Sequence, residues 1–353
     1  MTTVSTRRDG HKNAAATTCS GFGITNVGGQ MRTIALEEHC APPGFIDGSG
    51  RAFLEKAGGP RERMTKLIEQ LGDVGEKRIA EMDAAGVDMQ VLSLNAPGVE
   101  QLNEADAIPL AREANDFIAE AAKAFPKRFA GFATVPTAAP EKAAKELERA
   151  VREQGMKGLQ ICGHHQGRYL DDKFFWPILE QAEALGVPIY LHPTPPPQAV
   201  IDAYYGRFSP ELTFIFSAPG WGWHIETGVH IMRIVLGGVF DRFPKLQFIV
   251  GHMGEALPFM QSRADIMHQA ITKLQRPVSS YLKENVHYTF AGFNYTPTFL
   301  DLFLQVGVER IMFSADHPYG SMAIARKFLD ELPVSAADRE KIAHSNAERL
   351  LGL

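Results

Sequence analysis

Cysteine is scarce in this chain, and its copies lie far apart. Cys19, Cys40 and Cys162 form no C-x-x-C pair, which excludes both a disulfide framework and a thiolate zinc centre. Long apolar runs are missing too. None approaches the roughly 18 residues that a membrane-spanning helix needs, so no membrane partner is expected. Nor is there an excess of positive charge. With 36 basic against 41 acidic residues and a net charge of -5, the chain lacks the electrostatic footprint of a nucleic-acid binder. These absences leave a small molecule as the expected partner.

What the first residues contain is equally telling. The stretch "STRRDGHKNAAATTCSGFGITNVGGQ" is rich in Ala, Thr, Gly and Ser and has neither helical nor strand periodicity, so residues 1–31 read as a flexible leader. Its "TRRDGHK" resembles a twin-arginine export signal, yet Gly10 and His11 stand where that signal has an apolar pair,. A degenerate leader on a cytoplasmic protein is the expectation, with export as the alternative.

From residue 32 to 353 short apolar runs alternate with amphipathic stretches, the pattern of a parallel sheet built from βα units. Eight runs qualify as strands: "RTIALEE", "DMQVLSLN", "RFAGFATVP", "KGLQICG", "PIYLHP", "LQFIVGH", "VHYTFAG" and "RIMFSADHP". Helical spacing marks "EKRIAEMDAAG", "AREANDFIAEAAKAF", "PEKAAKELERAVREQG" and "FWPILEQAEALG" between them,. No G-x-G-x-x-G follows the first strand, which argues against a doubly wound dinucleotide fold and for one (β/α)8 barrel. Residues 41–72 and 194–223 exceed a minimal barrel. They are insertions after strands one and five and so belong to the catalytic face, where they wall the site.

In such a barrel the strands' C-terminal ends carry the chemistry. Those ends hold Glu37 and His39, His192, His252, and Asp316 with His317. A lone strand-end histidine is usually a hydrogen-bonded structural residue. Coincidence at four strand ends points instead to a nitrogen and oxygen donor set for one divalent ion, Zn2+ or Mn2+. The E-x-H pair is its most specific part, because side chains two apart on a strand share a face, while Glu38 turns to the other. The remaining histidines read as bystanders. His164 and His165 are expected to face solvent, with a place in a pocket as the alternative, His11, His268 and His344 to be surface residues, and His224 and His230 to form a polar helix face or subunit contact. Of the aromatic residues near strand ends and in the insertions, Phe293 and one insertion residue are expected to stack on a planar ring.

Taken together, "IALEEHC", "LSLNAP", "YLHP", "ETGVHIMRIVLGGVFDRFPKLQFIVGHMGEALP" and "FSADHPYG" resemble the amidohydrolase-2 branch of the amidohydrolase superfamily. Within it they look most like the nonoxidative hydroxybenzoate decarboxylases, the γ-resorcylate, 2,3-dihydroxybenzoate and aminocarboxymuconate-semialdehyde type. The resemblance implies a metal-dependent (β/α)8 barrel with Glu37, His39, His192 and Asp316 as ligands. It further implies Asp316, His252 and Glu255 as the catalytic groups and a small aromatic carboxylate as substrate. Arg263 of "QSRAD" matches a substrate-proximal arginine, and Asn95 and Phe293 are expected beside the ring. A homodimer or homotetramer is implied as well. The sequence departs from these relatives at Tyr319 and Gly320, where they carry a Phe-Glu pair. A metal-dependent hydrolase of a lactone or amide is the alternative activity that the same ligand set permits. A catalytically decayed barrel serving as a binding protein is a further alternative, against which the intact ligand set argues.

Overall fold

The computed structural model describes residues 31–58 and 60–353. All of the expected leader except Met31 therefore lies outside the described residues. Within the unit Arg32–Leu353, eight parallel strands follow one another in sequence order around a barrel. They are β1 Ile34–Cys40, β2 Met89–Leu94, β3 Phe129–Ala133, β4 Gly158–Cys162, β5 Ile189–His192, β6 Phe248–Val250, β7 Val286–Thr289 and β8 Ile311–Met312. Each falls inside a run that the alternation marked, except that β1 continues two residues past its run to Cys40. The circuit closes between β8 and β1, where Leu36 bridges Ser314 and its N–H donates to the Phe313 carbonyl at 3.1 Å. Among the described residues no helix is long and apolar enough to cross a membrane.

The barrel interior is filled by Ile34, Leu36, Val91, Phe132, Tyr190 and Met312, and Ala347 and Leu351 of the C-terminal helix Asn346–Leu351 pack against this cluster. Helices follow the strands as the periodicity requires. Glu104–Ala124 begins earlier than its apolar pattern, because Asn103 caps it by accepting from the Asp106 N–H at 3.1 Å,. Both insertions are helical: Pro43–Asp47, Arg51–Gly58 and Arg61–Gly72 follow β1. Pro210–Ser217 leads into the longer Gly222–Leu236 after β5.

One buried group outside the site sets an acid limit to stability. His287 on β7 accepts from Arg310 Nη1 at 2.9 Å, and burial first, then Arg310, pushes its pKa down to about 3. An unfolded chain binds a proton at this imidazole below about pH 6.5 whereas the folded one does not, so stability is lost as pH falls from there toward 3. Each pH unit costs about 1.4 kcal/mol. In chelator-treated protein, His287→Gln should flatten the decline in unfolding free energy between pH 6.5 and 4.5 by about 2–3 kcal/mol, measured by urea titration. An unchanged slope counts against this account.

Candidate active site

The first strand does not alternate simply. Ile34 and Leu36 face the barrel interior, so strict alternation would send Glu37 and His39 outward. Instead Glu37 adopts a left-handed φ of 62°, and the pairing with β2 shifts between Ala35 and Glu38. This bulge reverses the parity and brings Glu37 and His39 to the mouth. A non-glycine residue in that region costs of order 1–3 kcal/mol and is held only where its surroundings demand it. Here Gly251 supplies room, since a Cβ on it would come within 2.3 Å of Glu37 Oε2. Tyr190 rises from the barrel interior to donate to that same oxygen and also bonds Thr289 Oγ1 at 2.8 Å.

Glu38 turns outward as expected and is buried in a network of its own. Its two oxygens accept from Gln90 Nε2 at 2.9 Å and from the Ala315 N–H at 2.8 Å, and Gln90 accepts from Arg78 Nε at 2.7 Å. The network ties the first strand to the residue before Asp316. Asp316 is itself left-handed, with φ 61°, a conformation that aspartate tolerates better than most side chains.

Four groups converge on the mouth. His39 Nε2 lies 3.2 Å from Asp316 Oδ1, and His192 Nε2 lies 3.3 Å from Glu37 Oε1. Glu37, His39 and His192 each turn one ligand atom to within 4.8 Å of the others. These separations suit a cation, since donor atoms bound at about 2.0–2.2 Å in neighbouring positions sit about 3.0–3.4 Å apart. Two further details fit. His192 Nδ1 donates to the Pro193 carbonyl at 2.7 Å, which leaves the Nε2 lone pair facing the mouth, and burial keeps this imidazole neutral by lowering its pKa well below 6.5. Glu37 Oε1 is fully buried without a hydrogen-bond partner, and burial drives the carboxyl's pKa up to about 8. A divalent ion would relieve that carboxylate.

Beside the cradle stands a second cluster. Past β6 the chain takes left-handed turns at His252, Met253, Glu255 and Ala256, with Gly254 at φ 93° between them. A Cβ on Gly254 would meet Pro258 and Tyr288 at under 3 Å. These turns aim His252 Nδ1 at Glu255 Oε1, at 2.6 Å, and hold Nε2 3.8 Å from Glu37 Oε1. Burial lowers the His252 pKa, but Glu255 and Glu37 more than offset it and the net shift is upward. Glu255 is buried too, yet the two imidazoles beside it hold its carboxylate below the ordinary range.

The second of those imidazoles belongs to His224, expected on a polar helix face or in a subunit contact. It donates from Nδ1 to Glu255 Oε2 at 2.7 Å and accepts at Nε2 from Trp223 Nε1 at 3.0 Å. Its signal was the insertion itself: "GWGWHIE" follows the strand-five end, on the face that carries the chemistry. Two other histidines also depart from expectation. His164 and His230 are buried, and His230, itself on the helix Gly222–Leu236, accepts the Leu170 N–H at 2.9 Å.

A chamber of about 560 Å³ opens above the cradle; His39, His192, His252, Asp316, Asn95 and Phe293 line it, and His224, Trp223, Phe53, Tyr319, Lys56 and Arg63 are among its other walls. Phe293 packs edge-on to His252 at 5.5 Å. Tyr319 packs edge-on to His39 at 5.7 Å and donates to Asn95 Oδ1 at 2.9 Å, which commits one side of Asn95 to the wall. Glu255 stands behind the chamber, bonded to His252. Arg263 is not brought to it. That residue is exposed in the last turn of the helix Leu257–Ala264 and lines a separate apolar groove with Val229 and Met260. Barrel helices run back from the mouth, and six residues of helix carry Arg263 about 9 Å along that axis.

We expect His252→Ala to lower kcat at least ~100-fold. His224→Ala should lower it about 10-fold with a smaller change in KM, since it removes the second donor to Glu255 and part of one wall, and His224→Asn, whose amide nitrogen replaces Nδ1, should recover most of the loss in kcat. Steady-state kinetics on the three variants checks both.

Residues 69–353 match the family model described as amidohydrolase. A γ-resorcylate decarboxylase of a Polaromonas species is 36% identical over 333 residues, covering 91% of this chain and 98% of that protein. Among solved structures, 5-carboxyvanillate decarboxylase of Novosphingobium aromaticivorans, with manganese and 4-hydroxy-3-methoxy-5-nitrobenzoic acid, superposes with a TM-score of 0.84 at 38% identity, covering 91% of this chain and 96% of that one. A dihydroxybenzoic acid decarboxylase of Polaromonas, with manganese and the inhibitor 2-nitroresorcinol, gives 0.82 at 36% identity, covering 91% and 97%.

Proposed function

Since the chain belongs to the amidohydrolase family, we propose that it is a metal-dependent, nonoxidative decarboxylase of hydroxylated aromatic carboxylic acids. One observation carries the reading: a carboxylate, Asp316, and a carboxylate-anchored imidazole, His252, line one aromatic-walled chamber beside the ligand cradle. Glu37, His39, His192 and Asp316 are the ligands in this reading, and the ion is Zn2+ or Mn2+, manganese being the one present in the two neighbours. A bound divalent ion supplies Lewis acidity toward the substrate's carboxylate and ortho oxygen.

The protein's own groups handle the protons. Asp316 gives its proton to the ring carbon that bears the carboxylate, and that carbon becomes tetrahedral. The bond to the carboxylate then breaks, its electron pair restores the aromatic ring, and CO2 leaves. His252, its Nδ1 fixed on Glu255, takes up and returns the ortho hydroxyl proton through Nε2. Phe293 and Trp223 pack the ring, and Asn95 contacts its edge.

The test is a panel of ortho-hydroxybenzoates and aryl lactones offered to manganese-loaded enzyme. Release of CO2 with formation of the corresponding phenol is expected. Ring opening of a lactone with no CO2 from any acid would replace the decarboxylase by a hydrolase. We also propose that the chain assembles as a homodimer or homotetramer. Exposed Val229, Leu236, Met260 and Ile266 around the groove that Arg263 lines support this,.

A further inference from the structure

The catalytic face holds a second chamber that the reaction just described does not use. It measures about 980 Å³ and lies over the ends of β2, β4 and β5, with Pro97, Thr194, Pro196, Ile201 and Thr213 in its walls. The two chambers share Phe53, Lys56, Phe214 and Ile215. Phe53 and Phe214 meet edge-on with centroids 6.0 Å apart, one from each insertion, so the partition is a pair of side chains rather than backbone. Side chains of this kind shift rotamers easily compared with a strand or helix wall.

Three observations say what belongs there. The second chamber alone reaches the upper end of the range, about 300–1,000 Å³, that holds drug-sized ligands, whereas a one-ring acid bound at the cradle needs only the first. Proline, isoleucine and phenylalanine supply nine of its twenty described lining residues, and Ile215, which lines both chambers, is 53% exposed. Apolar surface left open beside a site marks an apolar guest. Charge disfavours an acidic one: Glu55, paired with Arg51 at 3.2 Å, and Glu211 stand in the wall, and Lys56, the one lysine or arginine among its described lining residues, is shared with the mouth.

We propose that this chamber is a subsite for a neutral, apolar substituent on the aromatic acid, an alkyl chain of several carbons or a second ring, passing between Phe53 and Phe214. The inference rests on the decarboxylase reading and names the substrate class within it. The acid end stays at the cradle while the far edge of the ring carries the extension across the partition.

The experiment compares 2,6-dihydroxybenzoate with its 3- and 4-alkyl homologues, methyl to pentyl, on manganese-loaded enzyme. In at least one series kcat/KM should rise about three- to fourfold per buried methylene, reaching at least ~30-fold for pentyl. Ala52→Trp and Ile201→Trp fill the second chamber without touching the first, so they should abolish the gain and leave the parent acid's rate within twofold. Pentyl homologues no better than the parent in both series, or a gain that survives both tryptophans, would overturn the subsite. Calorimetric binding of 4- and 5-pentylresorcinol against resorcinol gives the readout that does not need turnover. If no acid releases CO2 but pentylresorcinols bind at least ~30-fold tighter, the decarboxylase reading falls and the chamber stands. Equal binding of all three overturns the chamber.

Discussion

Asp316→Asn should lower kcat by ~10³–10⁴-fold while the protein still binds its metal. Few substitutions isolate a proton so cleanly. Asparagine is close in size to aspartate and equally able to hold the left-handed φ of 61° found here,. The backbone around it is fixed independently, by the Ala315 N–H donating to Glu38 Oε1 at 2.8 Å and the Gly320 N–H donating to the Asp316 carbonyl at 2.6 Å. An amide oxygen can still face His39 and the cradle. What disappears is a group that can carry a proton to the ring carbon, and among the described residues no second carboxyl lines the chamber to replace it. Metal analysis should find the variant's manganese content within about twofold of wild type. KM should change little, because aromatic walls and the cradle still hold the acid. Near-normal CO2 release would remove Asp316 from the acid's role, and loss of the ion would make it a ligand alone.

The reason this residue was visible before the fold was known lies in the kind of signal it gives. Strand runs such as "PIYLHP" and "LQFIVGH" carry their own period and their own ends, so reading only the ends collects His192, His252 and Asp316. Glu37 and His39 were legible as a pair for the same reason. Their direction was not, because it depends on the bulge at Glu37, and nothing in "TIALEEH" announces a left-handed residue. Tyr190 looks like any apolar strand residue until its hydroxyl is found on Glu37. His224 escaped because helix periodicity assigns a face but not what that face meets, and it meets Glu255, which lies far along the chain. The Tyr319 departure is plain in "SADHPYG", yet its bond to Asn95 joins two strand ends that only closure of the barrel brings together. Arg263 failed in the opposite way. A motif match places a residue in a stretch of sequence, and the helix axis then decides whether it reaches the mouth.

Glu37→Gln should make the metal-free protein more stable and the enzyme inactive. Burial raises the Glu37 pKa from 4.5 to about 8, so the folded state holds a proton that the unfolded chain releases above about pH 4.5. The sign follows directly: without an ion, stability falls as pH rises from 4.5 toward 8. At pH 7 this amounts to up to about 3 kcal/mol. A glutamine keeps the shape and can still accept from Tyr190, but it carries no charge, so urea denaturation of chelator-treated protein should find the variant more stable at pH 7 and equal to wild type near pH 4.5. The ion reverses the balance. It replaces the proton on wild-type Glu37, so calorimetry in buffers of different ionisation enthalpy should record about one proton released per metal bound at pH 7. Glu37→Gln should release none, bind manganese more than ~100-fold more weakly, and lose turnover accordingly. Stripping the wild type with a chelator should abolish turnover and added Mn2+ should restore it. A variant that binds manganese as tightly as wild type, or a metal-free variant no more stable at pH 7, would mean that the buried carboxylate at the β1 bulge is not where the cation sits.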